Sequence, residues 1–447
     1  MTWTNWAGDQ HCAPAKIVRP STEDEVARVV ADAAARGLTV RAAGSGHSFT
    51  DAVCTDGVLI DTSGLQRVLA ADPGSGLVTV EAGIKLHELG RQLATHGLAL
   101  ENQGDIDAQA LAGALATATH GTGTRFGNLS SRVVGMRLVT GSGEVVDLTA
   151  DTDPEGLRAA RVSVGALGVV TAVTLQTVPQ YTLHRHDRPL PLAETLARLD
   201  ELADDNDHFE FFLWPYTRVA ATKTTRRSQE APLPEASWKR RLSEDLIENK
   251  LLETISRIGR ARKSLVPRLN RLLASSLGEG HLQDHAYRVY ATKRTVRFNE
   301  MEYAIPRAHA REALERVLDL VERRRLPILF PFETRFVAAD DAFLSPAFER
   351  ETCYLAVHQY TGMEFESFFR GVERIMDDYG GRPHWGKRHY QTASTLRERY
   401  PGWDRFQAVR ARLDPQGVFS NDYVLRTLGP VAAGAYIVDE LRKQPNA

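Results

Sequence analysis

The sequence predicts an α+β protein made of two domains. Three observations carry that reading. At 447 residues the chain is too long for one simple core. Residues 17–180 alternate strand and helix signals, with glycines closing the helices. After Pro179 the character changes to aromatic strands, a long basic helical stretch and a further strand–helix mixture, which reads as an α+β second domain.

The elements follow in order. Ile17-Val18 ends at Pro20, and Ser21 is placed to cap a helix whose apolar residues Val26, Val29, Val30 and Ala33 share a face. Gly37 stops that helix, and Leu38-Thr39-Val40 reads as a short strand. Val58–Ile60 and Val78–Val80 read as strands, and Leu86, Leu89 and Leu93 mark a helix ended by Gly97. Ala108 to Ala118 reads as a helix of small residues running into a Gly/Thr loop at 119–123. Val133–Val139 and Glu144–Leu148 flank Gly141-Ser142-Gly143, a hairpin signal. Small residues at 164–170 lead into a strand over Thr171–Thr177 and suggest close approach of backbone to a flat ligand or another segment. Beyond Pro179, strands are expected at 209–214, 286–292, 297–304, 327–337 and 352–360, and helices at 307–323 and 363–379. Residues 237–273 read as helical, with ten basic residues (Lys239, Arg240, Arg241, Lys250, Arg257, Arg260, Arg262, Lys263, Arg268, Arg271) against the acids Glu244, Asp245, Glu248 and Glu253. A solvated excursion is the first reading of that stretch and a docking surface for an anionic membrane the second. Asp414–Phe419 reads as a turn after a helix.

Composition removes several classes. A formal net charge of −2 gives no global field toward nucleic acid. Three cysteines (Cys12, Cys54, Cys353) without C-x-x-C oppose a disulfide framework and a zinc site, and no histidine–carboxylate spacing suggests a metal. No apolar run of about 18 residues suits a membrane span. The first residues lack the basic and apolar regions of a signal peptide, so a cytoplasmic location is expected.

Four stretches carry chemistry. Gly44-Ser45-Gly46-His47-Ser48 follows a strand, and its N–H groups can form a concave anion site. It is not a dinucleotide fingerprint, because Phe49 stands where a third glycine belongs. A surface turn with an exposed histidine is the plain alternative. The second is Asn102-Gln103-Gly104-Asp105, followed by Gly113 and Thr119-His120-Gly121. Gly104 also reads as a turn glycine. The third places Glu333 and Arg335 on one face of a strand and His358 and Tyr360 on one face of another. An ordinary salt pair and a satisfied core histidine are the alternatives there. The fourth is the donor-rich loop Arg382-Pro383-His384-Trp385-Gly386-Lys387, where Lys387 also reads as a solvated lysine. There is no G-x-S-x-G and no Ser/His/Asp set.

In this order the motifs resemble a family, the aldonolactone oxidoreductases of the vanillyl-alcohol-oxidase flavoprotein superfamily. The carriers are Asn5-Trp6-Ala7-Gly8, Gly44–Phe49, Ala116–Gly123, Ser163–Val169 and His384–Lys387, and the resemblance covers essentially the whole chain. It is similar first to actinobacterial L-gulono-1,4-lactone oxidases and dehydrogenases, with D-arabinono-1,4-lactone oxidases in the same group and alditol oxidases next. The resemblance implies a two-subdomain FAD-binding domain over 1–180. A substrate-binding cap with an antiparallel sheet would follow over 181–409, including the excursion 237–273, and a segment 410–447 would return to the FAD domain. Ala42, Ala43, Gly44, Ser45, Gly46, His47 and Ser48 would hold the FAD pyrophosphate through backbone groups. His47 matches a histidine bonded to the flavin 8α-methyl in many members. Asp105, Gly113, Ala114, Thr117 and His120 match positions beside the flavin, Val170 matches the adenine end, and Gly104 matches a gate for oxygen. Glu333, Arg335 and Lys387 match the substrate site. Alditol oxidases carry serine where Asp105 stands and threonine where Tyr360 stands, which disfavours an open-chain polyol.

The physical chemistry fits that assignment. A flat apolar ring needs small neighbours, which residues 110–118 supply. Oxidising a secondary alcohol moves hydride to flavin N5 and a proton to a base, for which Glu333 and His358 are both candidates. Lys387 or Arg335 would stabilise charge on the reduced ring. The expected activity is oxidation of an aldono-1,4-lactone, L-gulono-1,4-lactone first, to an ascorbate-type product, with electrons passed to oxygen or a carrier. An alditol oxidase and a non-catalytic flavin- or lactone-binding protein are the alternatives.

Overall fold

The computed structural model describes residues 2–233, 250–292 and 294–431. Lys239, Arg240, Arg241, Glu244, Asp245 and Glu248 of the basic stretch lie outside the described residues, as do residues 432–447 of the expected C-terminal return.

Two larger sheets build the first part, beside two two-stranded ones. Lys16–Val18, Val58–Asp61 and Val40–Ala43 form a parallel sheet with Val58–Asp61 in the middle. The helix Glu23–Ala35 buries Val26, Val30 and Ala33, the face that the spacing predicts. Thr22 rather than Ser21 caps it. The Glu25 N–H donates to the Thr22 hydroxyl at 3.3 Å and the Glu25 carboxylate accepts from the Ser21 N–H at 2.7 Å, because a hydroxyl three residues before a glutamate can close that loop. Five antiparallel strands make the second sheet, in the order Val145–Thr149, Val133–Val139, Val169–Gln176, Leu77–Glu81, Val68–Asp72. The Gly141-Ser142-Gly143 hairpin joins its first two members, with Gly143 at φ +83°. The helix expected over 108–118 is shorter, Leu111–Ala116.

An eight-stranded antiparallel sheet dominates the second part. Its order is Gly280–His285, Thr182–Pro191, Val219–Ser228, His208–Leu213, Phe332–Val337, Thr352–Tyr360, Phe298–Pro306, Arg382–Pro383. The segment 286–292, expected as a strand, is instead the helix Ala286–Tyr290. Pairing with Thr182–Pro191 ends at Thr182↔His285, and the chain then turns so that Ala286 and Val289, three apart, are buried together.

Pleating sorts the central strands of this sheet into two chemically distinct faces. Phe209, Phe211, Met301, Tyr303, Phe332, Phe336, Leu355 and Val357 share one core with the helices Ala310–Arg324 and Glu366–Asp377. The alternate residues, Glu210, Glu300, Glu302, Glu333, Arg335 and His358, are buried on the other face. Alternation of aromatic and charged residues therefore places the ionisable groups away from the helices.

The chain beyond the sheet joins the first part. Trp385, Leu396, Tyr400, Trp403, Phe406 and Tyr423 share one core with Leu86, Leu111, Leu115, Val133 and Leu175, and Val40 N–H donates to Val418 O at 2.8 Å. The described part of the basic stretch forms the helices Lys250–Ala261 and Val266–Ser275. Among the described residues no helix is long and apolar enough to cross a membrane.

Candidate active site

The Gly44–Ser48 loop is held from both ends of the chain. Asn5 accepts the N–H groups of Gly8, Asp9 and Gln10 on its side-chain oxygen and donates to Ser48 O at 3.0 Å. Trp6 N–H donates to Gly46 O at 2.8 Å, and its ring stacks on His47 at 5.7 Å. From the far end, Phe49 N–H donates to Gly386 O at 2.8 Å. Gly46 has φ +67°, and a Cβ on Gly44 would stand 2.7 Å from Ala110 Cβ, so both glycines are required by the backbone. Beneath the loop, Arg41 is buried and among the described residues its hydrogen bonds all go to backbone carbonyls. It donates to Ala52 O (2.8 Å), Gly165 O (2.9 Å), Val164 O (2.7 Å) and Phe419 O (2.7 Å), and burial lowers its pKa to about 10. Val164 sits at φ +53°, a strained conformation for a β-branched residue.

Three adjoining cavities meet at Gln109, which lines each of them. The first, about 110 Å³, is bounded by Ala42, Gly44, Ser45, Gly46, His47, Ser48, Gly113, Ala114, Thr117 and Val170. Ala43 does not line it; its carbonyl accepts from the Thr62 hydroxyl at 3.1 Å. The second, about 80 Å³, is lined by Gly104, Asp105, His120, Glu333, Arg335, His358 and Lys387 together with Arg294, Glu300, Glu302 and His384. The third, about 950 Å³, reaches outward past His47 and Lys387 to the helix Ala286–Tyr290.

An ionic lattice forms one wall of the second cavity. Arg335 donates to Asp105 at 2.7 Å and to Glu210 at 2.8 Å, and its Nη2 lies 2.5 Å from Glu333 Oε1 without hydrogen-bond alignment. Arg294 donates to the other Asp105 oxygen at 2.8 Å, and Lys223 lies 3.2 Å from Glu210. Sheet register makes these meetings: Glu210 stands directly opposite Arg335 on one side and Lys223 on the other. Against burial, Arg335 and then Lys223 and Arg294 hold the Asp105 carboxyl far below the usual range. Burial pushes Glu333 up despite Arg335, aided by Asp105 and Glu210.

The opposite wall is built on Phe298–Pro306. Glu300 contacts Lys387 Nζ and lies 3.3 Å from His358 Nε2, its register partner. His358 Nδ1 donates to Pro331 O at 2.8 Å, so both its ring nitrogens face acceptors. Lys387 and then His358 overcome burial and lower the Glu300 pKa to about 2. Glu302 lies 3.3 Å from His120 Nε2, and His120 Nδ1 lies 2.8 Å from Gly121 O. His384 Nδ1 accepts from the Gly386 N–H at 3.0 Å, and burial lowers its pKa to about 3. Tyr360 stands apart from this cavity; its hydroxyl donates to Glu253 Oε1 at 2.9 Å.

Gly104 is not at positive φ, so the turn explanation for it fails. A Cβ there would lie 2.8 Å from His120 O, and close packing is what requires the glycine. Reading the sequence alone missed Gln109, Arg294, Glu210, Lys223, Glu300 and Glu302. The one signal for the last two is Glu300-Met301-Glu302-Tyr303, acids alternating with apolar residues in a strand.

Residues 173–427 match the D-arabinono-1,4-lactone oxidase family, more than half of the chain. The chain belongs to that family. Residues 14–149 match the FAD binding domain. The L-gulono-1,4-lactone dehydrogenase of Mycobacterium tuberculosis is 63% identical over 428 residues, covering 96% of this chain and 99% of that one. The L-gulonolactone oxidase of Bos taurus is 34% identical over 95% of this chain and 97% of that one. Among solved structures, a solvent-stable cholesterol oxidase superposes with a TM-score of 0.83 at 20% identity over 96% of this chain and 97% of that one, a likeness of fold. The family member described here is thus a two-domain FAD-binding protein.

The residues present fit the cofactor. Ser45 Oγ and Gln109 Oε1 are buried at the cavities without a partner, and a Cβ on Gly113 would meet nothing within 4 Å, which leaves open space where a flat ring needs it.

Proposed function

We propose that this enzyme oxidises the C2 alcohol of an aldono-1,4-lactone, L-gulono-1,4-lactone first, to the 2-keto lactone that rearranges to an ascorbate-type enediol. The observation that carries the reading is the charged cavity of Glu333, Arg335 and Lys387, which shares Gln109 with the glycine-loop cavity. FAD, when bound, would supply a two-electron, hydride-accepting sink. The loop 42–48 would hold its pyrophosphate, with Gly113, Ala114 and Thr117 against the ring and Val170 toward the adenine.

The chain's own groups bind, orient and take the proton. Arg335 and Arg294 present guanidinium donors to the lactone carbonyl and ring oxygens, held in place by Asp105 and Glu210. Lys387 supplies positive charge where negative charge grows. Glu333 takes the alcohol proton. Of the carboxyls lining this cavity it is the one whose pKa is pushed up, which is what a base working near neutrality needs, whereas both nitrogens of His358 face acceptors. Lys85 and Lys387 add to burial in lowering the His47 pKa to about 4, burial first and Lys387 next, so its ring is neutral at pH 7. Among the described residues His47 makes no hydrogen bond, and we assign it the bond to the flavin 8α-methyl.

Asp105, locked between two arginines, occupies space on the substrate side and supports a lactone over an open-chain polyol. Electrons then pass to oxygen or to a carrier, with Gly104 at the proposed gate. A cytoplasmic site agrees with three free cysteines. The basic helices seat Ile255 and Val266 in a core with Phe298, Leu329 and Phe330, and Asn270 donates to Pro215 O and Ile328 O. That docking supports a solvated excursion over a membrane contact.

The test is anaerobic addition of L-gulono-1,4-lactone to the yellow holoenzyme. Bleaching of the flavin absorbance is expected. Absence of bleaching with every lactone and polyol tried would leave a binding protein.

A further inference from the structure

Away from the cavities, the sheet assembles a histidine cluster that linear spacing hides. His184 and His186, two apart, share a face of Thr182–Pro191, and His281 stands directly opposite His186 on the edge strand Gly280–His285. Glu279 immediately precedes that strand. The rings of His186 and His281 stack at 4.2 Å, and those of His184 and His281 at 5.2 Å. His186 Nε2 lies 2.6 Å from Glu279 Oε1, and His281 Nε2 lies 4.0 Å from the same oxygen. One donor atom from each of His186, Glu279 and His281 lies within 4.8 Å of the other two. The side chains of Glu279 and His281 are 58% and 55% exposed, so solvent reaches them. Spacing alone offers no metal set because the partners lie 93 residues apart and only strand pairing joins them.

We infer that His186, His281 and Glu279 bind a divalent transition-metal ion of the zinc–copper class. Imidazole nitrogens with one carboxylate suit such ions, whereas calcium and magnesium want oxygen shells. Metal–ligand bonds of about 2.0–2.2 Å need tetrahedral donors about 3.3–3.6 Å apart. The 2.6 Å and 4.0 Å separations bracket that spacing, and small rotations of exposed side chains close the difference. Water fills the remaining position. His184 is the positioning residue: its Nε2 lies 3.1 Å from His281 Nδ1 and fixes that ring, leaving Nε2 of His281 for the ion.

The ion would clamp the edge strand to Thr182–Pro191, its neighbour in the sheet among the described residues. That strand runs directly into the helix Ala286–Tyr290, whose Tyr287 and Arg288 line the 950 Å³ cavity. The clamp therefore steadies the element bordering the way in to His47 and Lys387.

The test uses chelator-stripped holoenzyme titrated with Cu²⁺, followed by calorimetry and electron paramagnetic resonance, and with Zn²⁺, followed by thermal unfolding. One equivalent of Cu²⁺ with imidazole-nitrogen splitting is expected, as is a Zn²⁺-dependent rise in the unfolding midpoint. His184→Ala should weaken binding about 10- to 100-fold. His281→Ala, His186→Ala and Glu279→Gln should weaken it further and abolish the thermal shift, while His96→Ala, at an exposed histidine elsewhere, changes neither. No stoichiometric binding would overturn the proposal. So would parental affinity in His281→Ala, which would place the ion elsewhere, the buried His120–Glu302–His384 group included.

Discussion

Replacing Glu333 by glutamine isolates the proton-accepting step. The amide keeps the shape of the side chain and removes its charge and basicity. Glu333 shares a buried lattice of three acids (Asp105, Glu210, Glu333) and three bases (Lys223, Arg294, Arg335), and burial pushes its pKa above 4.5. The sign of the stability effect follows. A carboxyl raised in the fold stabilises it below the unfolded pKa, and that contribution is lost as pH rises through the folded value. Above that folded value the ionised group is a burden, and Glu333→Gln should leave the fold and FAD binding nearly intact. Arg335→Ala is the contrast, because it takes one of two cations from both Asp105 and Glu210, leaving them Arg294 and Lys223, and should destabilise the fold measurably. Loss of a general base slows the step by about 100- to 10,000-fold. The assay is stopped-flow flavin reduction by L-gulono-1,4-lactone without oxygen, across pH. The parent should show an acid limb above pH 4.5 that the variant lacks. Parental rates, or an unchanged acid limb, would refute the assignment and return His358 as the base.

Lys387→Ala should slow flavin reduction about 100- to 1000-fold with FAD retained, read in the same instrument. The parent should stay yellow after acid precipitation and carry its flavin on a denaturing gel, while His47→Ala releases free FAD; a colourless parental pellet disproves the covalent bond. Gly104→Ala should change the rate of reoxidation by air, and because its Cβ meets His120 O at 2.8 Å the loop must also shift, so unchanged reoxidation removes the gate. Glu300 titrates at about 2 in the fold against 4.5 unfolded, so it stabilises above pH 4.5 by about 3 kcal/mol and that stability drains as pH falls toward 2. Acid unfolding of Glu300→Gln should be correspondingly less steep than that of the parent, as followed by circular dichroism.

Much of the candidate site was legible because its parts are local. The glycine loop is one run of residues, and the Glu333/Arg335 face needs only the period of a strand. What stayed hidden depends on register between distant strands. Glu210 matters because it pairs with Arg335, and Glu300 because it pairs with His358; neither partner is near in sequence. The strand Thr182–Pro191 was unreadable for a related reason. Its His-Arg-His-Asp-Arg run carries no strand propensity, and its conformation comes from neighbours on both sides, Val219–Ser228 and Gly280–His285. The strand predicted at 286–292 failed because Tyr287, Val289 and Tyr290 have strand propensity, while burial of Ala286 with Val289 selects a helical turn.

The bonds of Arg41 set an order on biosynthesis. One guanidinium ties the strand under the glycine loop to carbonyls at Ala52, Val164, Gly165 and Phe419. The last of these leaves the ribosome some 240 residues after the FAD-binding strands are complete, roughly 10 to 50 s later at ordinary elongation rates. Until then the Arg41 guanidinium lacks one of its carbonyl acceptors and the loop lacks its Gly386 clasp. A chain cut short of Gly386 is therefore expected to hold the cofactor poorly.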